Sequence, residues 1–255
     1  PILVNLKEII RFYIKKGINT LLGVRKHVLP VHIFDLNTKI VLCTTLTVLI
    51  MGVIGFFVLE YDNSLRGMDI YEKIVQSVFN SLVPRSAGFS SVNPSTFLDI
   101  TLLIIVIQMI IGGSSQSMAG GIKVNTLGTA VLNLRSVLFG HSRATAYHRT
   151  INQASVRRAN AVIVISMFAL TAYLVAVLTL EPTLPTKSVI FEVVSALFTV
   201  GSSLGITDDL GNATKVVLST AMFLGRVGIL SLISGLSVSK RDVSDHYPED
   251  SVIIS

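Results

Sequence analysis

Residues Ser188–Thr207 read SVIFEVVSALFTVGSSLGIT, and the fold turns on what such a stretch can do. Its apolar, amphipathic half, Ser188–Val200, is too short to cross a hydrocarbon layer about 30 Å thick, which takes about 20 helical residues. It then runs into small residues at Gly201, Ser202, Ser203 and Gly205. A short apolar helix followed by such a stretch suits a re-entrant half-helix, since non-helical backbone survives at membrane depth only where protein buries it or water lines it. Taken alone, the stretch reads equally well as a surface helix and its loop. The flanking segments decide between the two.

Upstream lies 160–180 (NAVIVISMFALTAYLVAVLTL), long enough to span, with Arg157 and Arg158 before it and Glu181-Pro182 after it. Downstream lies a long apolar element, Thr214–Ser239. The same order occurs earlier in the chain: a span at 40–59, a short amphipathic segment at Ile70–Val83, a glycine at Gly88, and an apolar element over Phe97–Phe139. A helix start near residue 95 is expected there, with Asp99 in the first turn suiting the helix dipole. This last element is broken by Gly112–Gly121, where four glycines in ten residues disfavour regular helix, and helix is expected to resume from Ile122. Phe79-Asn80 before Gly88 parallels Phe191-Glu192 before Gly201. The two units form an internal repeat, related by an axis along the membrane normal.

Composition agrees, with 51% hydrophobic and 14% charged residues and a mean hydropathy of +0.69, against roughly 25% charged in soluble domains. The net charge of +6 points to membrane topology rather than nucleic acid. Lys and Arg concentrate in 1–39, 123–158 and 240–255, which are read as cytoplasmic, and are sparse in 60–97, 181–187 and 207–215, read as external. The lone cysteine, Cys43, allows no intrachain disulfide and is expected to pack as a small hydrophobe. His27, His32, His141, His148 and His246 lack metal-ligand spacing. The Asn212-Ala213-Thr214 sequon falls on the external side and matters only in a glycosylating host. The chain opens on Pro1 in a basic segment and reads as starting inside a longer polypeptide.

Thr199-Val200-Gly201 matches the opening of the potassium-channel filter, where glycine lets successive carbonyls face one axis and replace an ion's hydration shell. Four stretches, Pro84–Phe89 (PRSAGF), Gly112–Lys123 (GGSSQSMAGGIK), Thr199–Thr207 (TVGSSLGIT) and Phe223–Gly228 (FLGRVG), resemble the Trk/Ktr/HKT superfamily of potassium transporters, in particular its bacterial Trk/Ktr branch. The resemblance implies an all-α integral membrane protein built from repeated membrane helix–pore half-helix–membrane helix units around a pseudo-fourfold ion path. Four such repeats make the family's polypeptide, and this chain resembles the third and fourth.

The expected organisation is a cytoplasmic basic connecting segment over 1–38, a repeat over 39–139 with a broken second helix, a cytoplasmic loop over 140–159, a repeat over 160–240 and a tail over 241–255. The resemblance assigns filter positions to Ser86, Ala87, Gly88 and Phe89, and to Thr199, Val200, Gly201 and Ser202. It assigns an obstructing gate loop beneath the filter to Gly112, Gly113, Ser114, Ser115, Gln116, Ser117, Met118, Ala119, Gly120, Gly121 and Lys123, with Met118 and Ala119 departing from the family pattern. The plainer alternative for this loop is a rigid glycine kink. Arg226, the one charge deep within an expected span, is expected to face protein or water and bind carbonyls; in the family a matching arginine stands near the loop. No phosphate-binding motif is present in GGSSQSMAGGIK.

The implied function is potassium uptake across the bacterial inner membrane through a carbonyl-lined filter with a loop gate. Potassium is the transported ion, and no cofactor or transition-metal site is implied. The alternatives are a non-conducting assembly subunit or a sodium-permeable member of the superfamily. An intramembrane hydrolase lacks a base near Ser114, Ser115 or Ser117 in sequence. Implied partners are the N-terminal half carrying the first two repeats, a second copy in a homodimer, the lipid bilayer and cytosolic nucleotide-binding regulatory subunits. Arg135, Arg143, Arg149, Arg157 and Arg158 are candidates for contact with those subunits, although positive-inside retention alone would place them there.

Overall fold

The computed structural model describes residues 35–228 apart from Ser86, Ser115, Gln116, Met118, Ser142 and His148, together with Ile10, Arg11 and Ile14 upstream. The connecting segment 1–38 therefore lies largely outside the described residues, as do His27, His32, His148, His246, the end of the Thr214–Ser239 element and the tail 241–255. Seven α-helices form among the described residues: α1 Leu36–Glu60, α2 Ile70–Leu82, α3 Asp99–Ile110, α4 Val124–Leu138, α5 Gln153–Leu180, α6 Thr186–Leu197 and α7 Asn212–Val227. A two-stranded antiparallel hairpin, β1 Thr145–Ala146 and β2 Arg149–Thr150, joins α4 to α5.

Helices α1 and α5, of 25 and 28 residues, are the two described elements long and apolar enough to cross a bilayer. At 1.5 Å per residue they measure about 37 and 42 Å. Both present apolar residues outward, Leu46, Ile54 and Val58 on α1 and Val164, Phe168 and Val175 on α5, as lipid-facing helices do. Helix α5 starts at Gln153, inside the segment expected as loop over 140–159. Its first turn is polar, and the Asn152 side chain caps it by accepting the Ala154 N–H at 2.9 Å. Helix α3 begins at Asp99 rather than near residue 95, because Pro94–Thr96 forms a separate 3-10 turn capped by Asn93. Helix α4 begins at Val124, two residues beyond the expected restart at Ile122.

The two short helices differ in surroundings. Helix α6 is buried on all sides from Ser188 to Leu197, Ile190 excepted, and packs against α3, α5 and α7 at the centre of the hydrophobic core. Helix α2 packs against α1, but leaves Tyr71, Ile74, Val75, Val78, Phe79 and Leu82 exposed. The same repeat unit thus occupies two environments, one enclosed by the other unit's α3 and one open. Cys43 is exposed rather than packed as a small hydrophobe; it sits on α1 beside a groove of about 760 Å³ that α1 and α4 line together.

Candidate functional site

Each short helix ends in a loop that turns back. After α2, a 3-10 turn at Val83–Arg85 carries the chain to Ala87, whose N–H donates to Val83 O at 3.1 Å, and then to Gly88 at φ +69°. After α6, Thr199 N–H donates to Ala196 O at 3.1 Å and Val200 N–H to Ser195 O at 2.9 Å, while the Ser195 hydroxyl accepts the Gly201 N–H at 3.1 Å. Thr199 and Gly201 both take left-handed backbone, φ +55° and +89°. Phe89 is exposed, and Val200 and Ser202 are buried.

The two loops meet. A Cβ on Gly88 would fall 2.4 Å from Val200 O and 3.2 Å from Gly201 Cα, so only glycine fits there. Each loop is also tied to its own short helix by equivalent residues. The Asn80 amide donates to Gln76 O and to the Ser91 hydroxyl, at 2.9 and 3.3 Å. The Glu192 carboxylate accepts the Thr207 hydroxyl, with its other oxygen buried. The sequence parallel between Phe79-Asn80 and Phe191-Glu192 therefore corresponds to one anchoring role.

Beneath the loops, Gly112–Gly121 leaves α3 and returns to α4 through a closed neck. Ile111 and Ile122 form a parallel bridge; Gly112 N–H donates to Ile122 O at 2.9 Å, Ile122 N–H to Ile110 O at 3.0 Å, and Val124 N–H to Gly113 O at 3.2 Å. Ser117 donates through both N–H and hydroxyl to Ser114 O. Lys123, the N-cap residue of α4, donates from Nζ to Ala119 O. Gly120 touches the base of the second loop, its N–H donating to Thr199 Oγ1 at 2.8 Å.

Arg226 lies in the last turn of α7 with an exposed side chain, near enough for Lys123 to feel its like charge. The sequence expects Arg226 to supply donors to loop carbonyls; at Ala119 the donor is Lys123. Among the assigned residues the structure brings together Gly88, Val200 and Gly201, and separately Thr199 with Gly120 and Lys123 with Ala119. Ser86, Ser115, Gln116 and Met118 lie outside the described residues.

Three polar features escape a reading of the sequence. Arg85, counted as external, is half-buried and directs Nη1 and Nη2 toward Thr45 O at 3.5 Å, well down α1 from its C-terminal end at Glu60. Glu60, ending α1, accepts the Leu98 N–H at 2.9 Å, and Glu181, following α5, accepts the Gly211 N–H at 2.8 Å. Leu98 and Gly211 are the N-cap residues of α3 and α7, so each unit ties its first long helix to its last by a carboxylate. The available signal was the Leu-Glu pair closing both spans.

Residues 7–245 match the family model described as TrkH, cation transport protein. The potassium/sodium uptake protein NtpJ of Enterococcus hirae is 34% identical over 226 residues, 86% of this chain and 50% of that protein. The Ktr system potassium uptake protein D of Bacillus subtilis is 33% identical over 223 residues, covering 87% and 49%. The crystal structure of the potassium transporter TrkH from Vibrio parahaemolyticus shares the fold, with a TM-score of 0.66 at 17% identity, covering 80% of this chain and 44% of that one. The chain spans about half the length of these relatives. It belongs to the TrkH family of cation transport proteins, which are membrane transporters and not enzymes.

Proposed function

We propose that this chain supplies two of the four pore-forming repeats of a potassium uptake protein of the bacterial inner membrane. Ions pass a filter whose carbonyls come from Ser86–Phe89 in the 39–139 repeat and Thr199–Ser202 in the 160–240 repeat, and the Gly112–Gly121 loop with Lys123 and Arg226 gates the path below. The observation that carries the reading is the meeting of Gly88 and Gly201 above a loop that contacts Thr199. Carbonyl oxygens gathered by left-handed glycines can replace an ion's hydration water.

Two half-loops do not ring an ion, and the open face of α2 suits the rest of the ring. Helix α6 is covered by α3 of the neighbouring repeat, so an equivalent helix from a preceding repeat would cover Tyr71, Ile74, Val75 and Val78. A second copy completes the homodimer. A cytosolic nucleotide-binding ring would meet Arg143, Arg149, Arg157 and Arg158, all exposed around the hairpin and the start of α5.

The test is uptake by the full-length protein in cells lacking other potassium uptake, with and without Gly201→Ser. Uptake restored by the wild type, with a lowered potassium over sodium preference in the variant, supports the reading; no uptake by a well-assembled wild type refutes it. A sodium-permeable transporter is the second reading, favoured by the potassium/sodium uptake protein among the similar relatives.

A further inference from the structure

Thr199 is where the proposed filter and gate loops touch, and two features set it apart. It is a β-branched residue held at φ +55°, a region such side chains rarely enter. Its hydroxyl oxygen is taken by a backbone N–H from another element, Gly120, at 2.8 Å. That N–H belongs to non-helical chain at membrane depth, where an unsatisfied donor is expensive. The approach is close enough that a Cβ on Gly120 would fall 2.4 Å from Thr199 Oγ1 and 2.6 Å from Phe198 O. On the opposite side, a Cβ on Gly225 of α7 would fall 1.8 Å from Leu197 O and 3.3 Å from Thr199 Cγ2. The end of α6 is thus clasped between the gate loop and α7. Beside the clasp lies a cavity of about 170 Å³ lined in part by Gly121, Lys123, Leu197, Phe198 and Gly225.

We infer that the Thr199 hydroxyl is a latch: it holds the Gly112–Gly121 loop against the fourth-repeat filter in the closed state and couples release of the loop to relaxation of the filter base. This rests on the filter and gate reading above. In the closed arrangement the hydroxyl oxygen faces Gly120 and one lone pair is spent on it, so it is less available to an ion. When the loop leaves, the oxygen is freed and the strained Thr199 backbone loses the contact that holds it. Opening below and ligand supply above then change together. Thr199 acts here as a positioning residue, through Gly120.

The test uses the full-length transporter in proteoliposomes. Thr199→Val keeps the shape and removes the acceptor, whereas Thr199→Ser keeps the hydroxyl. Loss of one net hydrogen bond from a mostly closed population should raise potassium flux roughly two- to tenfold in Thr199→Val, with a smaller gain in Thr199→Ser, which keeps the acceptor but loosens the filter backbone. Gly120→Ala, which displaces the loop from Thr199 sterically, should raise flux as well and serves if Thr199→Val fails to assemble. The decisive arm combines Thr199→Val with deletion of Ser114–Gly120, which removes the hydroxyl's donor. A latch predicts that the deletion raises flux and that Thr199→Val adds nothing to it. Equal gains from Thr199→Val in both backgrounds, or no gain where the deletion alone raises flux, overturns the latch and leaves the gate standing. A deletion that fails to raise flux overturns the gate itself.

Discussion

Gly88 and Gly201 pack backbone against backbone, but unequally: a Cβ on Gly88 would meet Val200 O at 2.4 Å, while one on Gly201 meets only Gly88 Cα, at 3.9 Å. Gly201→Ser therefore fits in space and bears chiefly the strain of φ +89°, about 1–2 kcal/mol. The variant should assemble and show a lowered potassium over sodium preference, since a hydroxyl and altered torsions change the ligands an ion meets. Gly88→Ser must move backbone and should lose assembly. Competition uptake of the two ions, alongside size-exclusion profiles, checks both; wild-type preference in folded Gly201→Ser protein would remove the filter assignment.

Glu60 is fully buried and accepts Asn63 Nδ2 at 2.7 Å, Ser64 N–H at 3.3 Å and Leu98 N–H at 2.9 Å. Glu60→Ala leaves these donors without their acceptor and opens a gap beside α3. Hydrogen bonds to a charged group contribute about 1.5–3 kcal/mol each, so losing three should cost at least about 4 kcal/mol, read as a lower unfolding temperature of the purified protein. Glu60→Gln should fall between the two.

Glu181 offers a pH counterpart outside the spanning helix. The Gly211 N–H, and then the Thr214 hydroxyl, hold its carboxyl below the ordinary value of 4.5. A depressed folded-state value means that the ionised carboxylate stabilises the fold above pH 4.5, and that this contribution fades as pH falls through the lower value. Thermal stability should therefore drop on acidification below 4.5 more steeply in the wild type than in Glu181→Gln. Parallel curves for the two proteins would show that the Gly211 and Thr214 contacts do not hold in solution.

The elements legible in the sequence are those whose signal is local. Spans α1 and α5 declare themselves by length and lack of charge, and α2 and α6 by being too short. The glycines of Gly112–Gly121 announce broken helix because four of them cannot sit comfortably in one. What stayed hidden depends on partners distant in the chain. Glu60 and Leu98, or Glu181 and Gly211, are joined only after the units fold, and their acidic side chains otherwise read as surface charge at the ends of spans. Arg85 looked external because it lies in the stretch 60–97 where Lys and Arg are sparse, yet the turn after α2 carries it back toward Thr45. Thr199 carries no sequence mark of a left-handed backbone, since threonine rarely takes one; α6 and the contact with Gly120 impose it.

Shortening the Gly112–Gly121 loop, the proposed gate, is feasible because the backbone bonds of its neck involve no residue of its tip. The bridge between Ile111 and Ile122, with the bonds at Gly112, Ile122 and Val124, holds α3 and α4 together without any residue of Ser114–Ala119. Deleting that stretch should raise potassium flux and shift the preference over sodium less than Gly201→Ser does, because Gly88 and Gly201 lie outside it and only the filter base at Thr199 is touched. Two cations border the loop, Lys123 bound to Ala119 O and Arg226 close by. In a narrow, poorly hydrated vestibule their repulsion of a passing cation exceeds its value in water. Arg226→Ala should raise flux, and Lys123→Ala should do so twice over, by removing a charge and by freeing the Ala119 carbonyl. Flux from proteoliposomes, normalised to assembled protein and compared at matched thermal stability, measures each effect. A well-assembled deletion variant with unchanged or lower flux would make Ser114–Ala119 scaffold rather than gate.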